Sequence, residues 1–62
     1  MLYHVHHIQN GIDTVRESLV QFDNAKRLAI DLIAVYGGDA YITRASVMQW
    51  DSRGIPAYSK ES

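Results

Sequence analysis

Residues 22–38, FDNAKRLAIDLIAVYGG, have the clearest secondary-structure pattern in the chain, that of a helix. Apolar residues recur there every three or four positions, which is the spacing of one helix face. This stripe consists of Ala25, Leu28, Ala29, Leu32 and Tyr36, with Ile33 and Val35 beside it. We expect Asp23 to cap the first turn and Phe22 to pack onto the core. Gly37-Gly38 ends the helix, since glycine adopts a left-handed conformation at little cost.

Two strand patterns precede the helix. Residues 2–8, LYHVHHI, are rich in aromatic and β-branched residues and stop before the turn dipeptide Asn10-Gly11. Residues 14–20 form a weaker pattern, which is also compatible with a short helix. In a strand, one face of this second segment carries Val15, Glu17 and Leu19.

Two further strands are predicted after the helix. Residues 40–50 have a strand pattern, and residues 51–54, DSRG, are typical of a hairpin turn. Residues 55–59 return as the last strand, which Pro56 confines to a sheet edge because it has no N–H to donate. The order β-β-α-β-β predicts one α+β domain over residues 1–62. It is a small antiparallel sheet of about four strands with one helix packed across one face.

The composition excludes several classes of protein. A chain of 62 residues with 47% hydrophobic and 21% charged residues forms one folded domain with a thin core. It has no cysteine, so neither disulfides nor thiolate zinc sites are expected, and a reducing cytoplasm is indicated. The sequence predicts neither export nor membrane insertion. A net charge of −1 limits any nucleic-acid binding to a local patch.

The sequence gives little support for catalysis or metal binding. His4 and His6 project from the same face of the first strand, but a site needs three or four ligands and no third can be assigned. No serine lies in a Gly-x-Ser-x-Gly context, and the glycines at 37–38 follow a helix, whereas phosphate-binding glycines precede one. We therefore predict a protein that is not an enzyme, with no catalytic residues, no metal and no cofactor.

The helix carries the most informative polar residues. Lys26 and Arg27 are predicted in its first turn and just after it, where the helix dipole disfavours each cation by a few tenths to about 1 kcal/mol. Such a break of a local rule can mark function, although a solvated surface is the simpler alternative. Ile30 and Ala34 share the outer face with these cations. A mixed basic and apolar face is typical of a protein-binding surface.

Aromatic residues are the remaining candidates. Trp50, Tyr41 and Tyr58 could anchor a partner or stack on bases, but in so small a domain the core needs aromatics more often than a site does. The predicted partner-binding residues are Lys26, Arg27 and Arg44, which guide docking by charge, and Ile30 and Tyr58, which serve as apolar anchors.

Three stretches resemble small phage-encoded proteins. They are YHVHHIQN at residues 3–10, NAKRLA at 24–29, and GI followed by AYSKE at 54–55 and 57–61. They are similar to the anti-CRISPR family directed against the type I-F surveillance complex. That family has a Tyr-led first strand ending in Gln-Asn, an Ala-Lys-Arg-Ile-Ala helix start, and a closing strand of Gly and then Ala-Tyr-Lys-Glu.

The resemblance implies a function in the cytoplasm of a bacterial host. It implies binding to the effector subunits that hold the guide RNA, which prevents target DNA from pairing with the guide. Lys26 and Arg27 match the basic helix residues of that family, whereas Asp31 stands where a second lysine is expected, and Ser59 and Pro56 extend the closing strand. Two alternatives stay open: inhibition of another host machine such as RNA polymerase, and a small nucleic-acid-binding module. A two-fold homodimer is also open, because a thin core gains from further burial.

Overall fold

The protein folds as one antiparallel sheet with a helix on one face. The structure is a computed structural model that describes residues 1–54. In chain order its elements are β1 (Tyr3–Gln9), β2 (Ile12–Leu19), α1 (Phe22–Tyr36), β3 (Asp39–Arg44) and β4 (Val47–Asp51). The strands lie in the order β2-β1-β3-β4, and every neighbouring pair is antiparallel. The predicted α+β architecture is therefore confirmed.

The first hairpin forms where the sequence predicts it. Asn10 and Gly11 have φ angles of 56° and 78°, which are the two left-handed residues that a tight hairpin between twisted strands requires. β1 then lies between β2 and β3. Val5 and His7 on β1 are buried under the helix, whereas His6 belongs to the open face of the sheet.

The core lies between α1 and the two central strands. Its buried apolar residues are Val5, Ala25, Ala29, Leu32, Ala40 and Ile42. Tyr3, Leu19, Phe22, Leu28, Ile33 and Trp50 pack around them and are partly buried. Because Ala25 and Ala29 are small, the helix can lie close to the sheet. The predicted helix stripe, the packing of Phe22 and the core role of Trp50 are confirmed, but Tyr36 is about half exposed.

The start of the helix differs from the prediction. The residue at the N-cap is Gln21, which is extended, and no side chain within residues 1–54 caps the first turn. Asp23 lies inside that turn, so its predicted capping role is wrong. Its charge still favours the helix, because the N-terminus carries the positive end of the dipole.

The end of the helix is anchored on β1. Gly37 has a φ of 80° and donates its N–H to the carbonyl oxygen of Ile33 at 2.8 Å, as expected for a glycine that ends a helix. The buried ring of His7 donates from Nε2 to the carbonyl oxygen of Gly37 at 2.8 Å. Gly38 then passes directly over the backbone of Ile8. The chain therefore leaves the helix through a close backbone crossing.

The segment predicted as one strand over residues 40–50 is a hairpin. β3 and β4 are joined through Ala45 and Ser46, whose φ angles are 53° and 65°. Hairpin turns of this kind favour Asn, Asp and Gly. Ala45 and Ser46 are none of these, so the residue types do not predict the turn. The prediction of a single strand there is wrong.

Residues 51–54 form a turn, but it does not join two described strands. Gly54 has a φ of 79° and donates its N–H to the carbonyl oxygen of Asp51 at 3.0 Å, so the predicted left-handed glycine is confirmed. This turn follows β4, the last described strand, and the β3–β4 hairpin lies at Ala45 and Ser46 instead. The strand predicted to follow the turn, residues 55–59 with Pro56 and Tyr58, lies outside the described residues.

A bulge changes the faces of β2. The register between β1 and β2 shifts by one residue, which leaves Arg16 without an opposite partner on β1. As a result, Val15 lies on the open face of the sheet, whereas Glu17 and Leu19 belong to the helix side. The segment is a strand, as predicted, but the predicted grouping of these three residues is wrong.

Candidate functional site

The side of α1 that faces away from the sheet forms a continuous surface. Asp23, Lys26, Arg27, Ile30 and Asp31 line a groove of about 340 Å³ there, and we call this surface the helix outer face. All five residues belong to one helix, so the groove is shallow and open to solvent. Such a surface can contact a macromolecule, whereas a small substrate requires a cleft that encloses most of its area.

Ile30 is the apolar centre of the helix outer face. Its side chain is 49% exposed, although it lies in the middle of a helix whose inner side is closely packed. Ala34, one turn further along, is also exposed. A large apolar side chain held on a rigid element and surrounded by charges has the composition of an interface centre with a polar rim.

The two cations of this surface are balanced by carboxylates. Lys26 and Arg27 are exposed, and neither forms an ion pair within residues 1–54. Asp23 precedes Lys26 by three positions, and Asp31 follows Arg27 by four. The helix outer face is therefore mixed in charge and not basic.

The dipole argument for these cations is wrong. Because α1 begins at Phe22, Lys26 and Arg27 open the second turn and do not stand in the first. The dipole acts mainly on the terminal turn, so their position costs the helix little.

Arg44 lies away from the helix outer face. Its guanidinium is 5.1 Å from the centre of the Tyr3 ring and donates to the Tyr3 hydroxyl at 3.0 Å. The Tyr3 ring in turn packs edge-on against Phe22, with 5.5 Å between the ring centres. Arg44 is thus held beside the start of the helix and does not line the groove. Tyr58 lies outside the described residues.

No protein-family model, curated protein or solved structure matches this chain. Two surfaces of the described part are candidates: the helix outer face and the face of the sheet that the helix leaves uncovered.

The uncovered face of the sheet carries a polar network around His6. The His6 ring stacks on Tyr41 with 4.3 Å between ring centres and 9° between the planes. Its Nδ1 lies 3.3 Å from Oδ1 of Asp13, and its Nε2 lies 2.9 Å from the Thr43 hydroxyl. The Tyr41 hydroxyl donates to the other oxygen of Asp13. Since a carboxylate only accepts, these contacts fit the His6 tautomer that donates from Nδ1 to Asp13 and accepts at Nε2 from the Thr43 hydroxyl.

This network was not found from the sequence. Asp13 and Tyr41 are 28 positions apart and lie on two different strands that flank β1. Only the register of the sheet brings them to the same histidine. Because these groups bond to one another, the network acts first as a scaffold. Within residues 1–54, no three His, Cys, Asp or Glu residues group as metal ligands, and no helix has the length and apolar character needed to cross a membrane.

An ion pair between Asp51 and Arg53 lies at the end of β4. The carboxylate of Asp51 is buried and receives three bonds from Arg53: from the backbone N–H at 2.8 Å, from Nε at 2.9 Å and from Nη2 at 2.7 Å. The side-chain bonds from Arg53 lower the pKa of Asp51, and burial only partly opposes this effect. Asp51 lies opposite Tyr41 in the β3–β4 pairing, so this pair lies beside the network on the neighbouring strand.

The network predicts a loss of stability at alkaline pH. The hydrogen bond to Asp13, followed by burial and the Asp13 charge, raises the pKa of Tyr41 from 10.0 to about 12. The neutral phenol is therefore favoured in the folded state. The stability that the neutral Tyr41 phenol gives the folded state is complete below pH 10 and is lost as the pH rises to about 12.

Urea unfolding at a series of pH values from 8 upward tests this expectation, because the series covers both the ordinary and the raised pKa of Tyr41. The wild-type midpoint should fall more steeply with pH than that of Tyr41→Phe, which has no phenol to titrate at this position. Parallel curves for the two proteins would contradict the raised pKa of Tyr41.

Proposed function

We propose that this chain is a small inhibitor that binds a host protein complex through the helix outer face and blocks that complex sterically. The observation that supports this proposal is the half-exposed Ile30, surrounded by charges of both signs on a helix whose inner side is firmly packed. A side chain at the centre of an interface, inside a rim of contacts that excludes water, can contribute much of the binding energy. The mechanism needs no catalytic group, because occupation of a surface is sufficient.

The complex that we propose as target is a type I CRISPR surveillance complex, and the proposed effect is loss of target-DNA binding. The support is the resemblance of the stretches described above, one of which, at residues 24–29, contains Lys26 and Arg27. These two cations guide docking to an acidic groove of the target, and Arg44 adds positive charge beside the start of the helix. Another host machine such as RNA polymerase is the alternative target of the same surface.

Direct binding of nucleic acid has less support. The helix outer face carries two cations and two carboxylates, and the open face of the sheet carries Asp13, Asp39 and Asp51 with Arg53. Affinity for nucleic acid comes mainly from an excess of cations that neutralise phosphates. Neither described surface has such an excess.

An affinity capture experiment tests the proposal. Tagged full-length protein is incubated with lysate from bacteria that carry a type I-F system, with and without nuclease, and captured proteins are identified by mass. We expect effector subunits to remain after nuclease treatment, and we expect alanine at both Lys26 and Arg27 to reduce their capture. Capture of polymerase subunits would favour the alternative target, and capture of nucleic acid alone would contradict inhibition through a protein surface.

A matched pair of variants tests the anchor. Ile30→Ala should weaken binding to the captured complex by about 30-fold, which corresponds to the roughly 2 kcal/mol typical of a hot-spot residue. Val35→Ala removes a more exposed side chain, at 71%, from a different side of the same helix and should leave the affinity unchanged. Titration calorimetry with the purified complex gives both values, and circular dichroism confirms that each variant is folded. Equal losses for the two variants would rule out Ile30 as the anchor.

A further inference from the structure

The charges of the helix outer face are arranged so that they complement a second copy of the same surface. Arg27 and Asp31 are four residues apart, which is about 6 Å along a helix with a rise of about 1.5 Å per residue. Ile30 lies between them along the axis, and the small Ala34 follows one turn later. The surface carries two cations and two carboxylates, so it offers both partners of an ion pair to an identical surface.

Two copies of α1 fit together when they run antiparallel across a two-fold axis that passes midway between Arg27 and Asp31. Each Arg27 then lies level with Asp31 of the second copy, because the two residues are equally far from the axis. The two copies of Ile30 are offset by only about 3 Å along the helix direction, so their side chains meet at the centre. In such an interface every contact occurs twice, since each surface serves as both partners.

We propose that the helix outer face binds a second copy of this chain and forms an antiparallel two-fold dimer. Two reciprocal ion pairs between Arg27 and Asp31 flank a contact between the two Ile30 side chains. One pair of helices buries less area than a standard stable interface, so the dimer is weak and depends on concentration. Its occurrence does not depend on the function proposed above. Because both partners use the same residues, however, self-association and binding to a host complex exclude each other.

Opposite charge reversals test the dimer. R27D leaves carboxylates at both positions, and D31R leaves cations at both, so each variant alone places like charges across the axis. We expect each to dimerise about tenfold more weakly than wild type, or weaker still. In an equimolar mixture each chain supplies the charge that the other lacks, and association should return to near the wild-type level. Sedimentation velocity over a concentration series at low salt measures all four samples.

The mixture also separates this proposal from a pair within one helix. An intrahelical bond between Arg27 and Asp31 cannot be restored by adding a different chain, whereas an intermolecular pair can. Circular dichroism confirms that both variants remain folded, as expected for exposed positions. A wild-type protein that stays monomeric at every concentration, or a mixture that stays monomeric while wild type dimerises, would overturn the proposal. Either result leaves binding to a host complex unaffected, because that is measured with the complex present.

Discussion

Gly38→Ala is expected to unfold most of the protein at room temperature. Gly38 has a φ of 77°, and a Cβ atom there would overlap the carbonyl oxygen of Ile8 and lie 3.3 Å from its carbonyl carbon. Both atoms belong to the backbone of β1, so no side-chain rotation can relieve the overlap. A chain of this length has a total free energy of unfolding on the order of 3–9 kcal/mol. The strained backbone angle and the shift of β1 needed to relieve the overlap together should cost most of this free energy.

Gly11→Ala is the matched control for this prediction. Gly11 has a nearly identical φ of 78°, but nothing lies within 4 Å of the position of its Cβ atom. This variant should lose only the cost of a left-handed alanine, about 1 kcal/mol. Urea unfolding followed by circular dichroism measures both variants. Similar losses would mean that the crossing over Ile8 adjusts easily and that only the backbone angle matters.

Ile42→Ala is expected to cost about 2–5 kcal/mol, the second largest effect. Ile42 is fully buried on β3, lies opposite Val5 on β1 and Trp50 on β4, and faces the helix. Removal of its side chain leaves a cavity that the neighbouring strands cannot close without losing their pairing. Val47→Ala, which shortens a half-exposed side chain on β4, should change stability by less than about 0.5 kcal/mol.

Urea midpoints for the Ile42 and Val47 variants give the difference directly. The comparison with Ile30 is informative, because the two isoleucines have different roles. Ile42→Ala should reduce stability, and binding should fall only to the extent that the protein unfolds. Ile30→Ala should reduce binding while the urea midpoint stays near that of wild type. The reverse pattern would contradict the division between core and surface.

The helix and the first hairpin could be predicted because their residues strongly favour particular local conformations. Asn10-Gly11 adopts the left-handed pair that its composition favours, and Gly37 ends the helix for the same reason. The β3–β4 hairpin could not be predicted, because Ala45 and Ser46 take left-handed angles that their composition does not favour. In that hairpin the pairing of two strands against the core determines the turn.

The candidate surfaces follow the same division. Lys26, Arg27 and Ile30 share the helix outer face because helical spacing alone places them there. The network of His6, Tyr41 and Asp13 depends on the register of β1 with both neighbouring strands, and a bulge at Arg16 sets part of that register. Local pattern does not determine a strand register, so these contacts could not be predicted from it.

The buried alanines of α1 make this chain suitable as an engineering scaffold. Ala25 and Ala29 hold the helix on the sheet, and neither contributes to the opposite side of the helix. Codons for the exposed positions of the helix outer face can therefore be randomised together while the anchoring side stays fixed. A display library built in this way would vary a rigid helical paratope on a carrier of 62 residues that contains no cysteine. Because it needs no disulfide, such a carrier can be produced in the reducing cytoplasm of a cell.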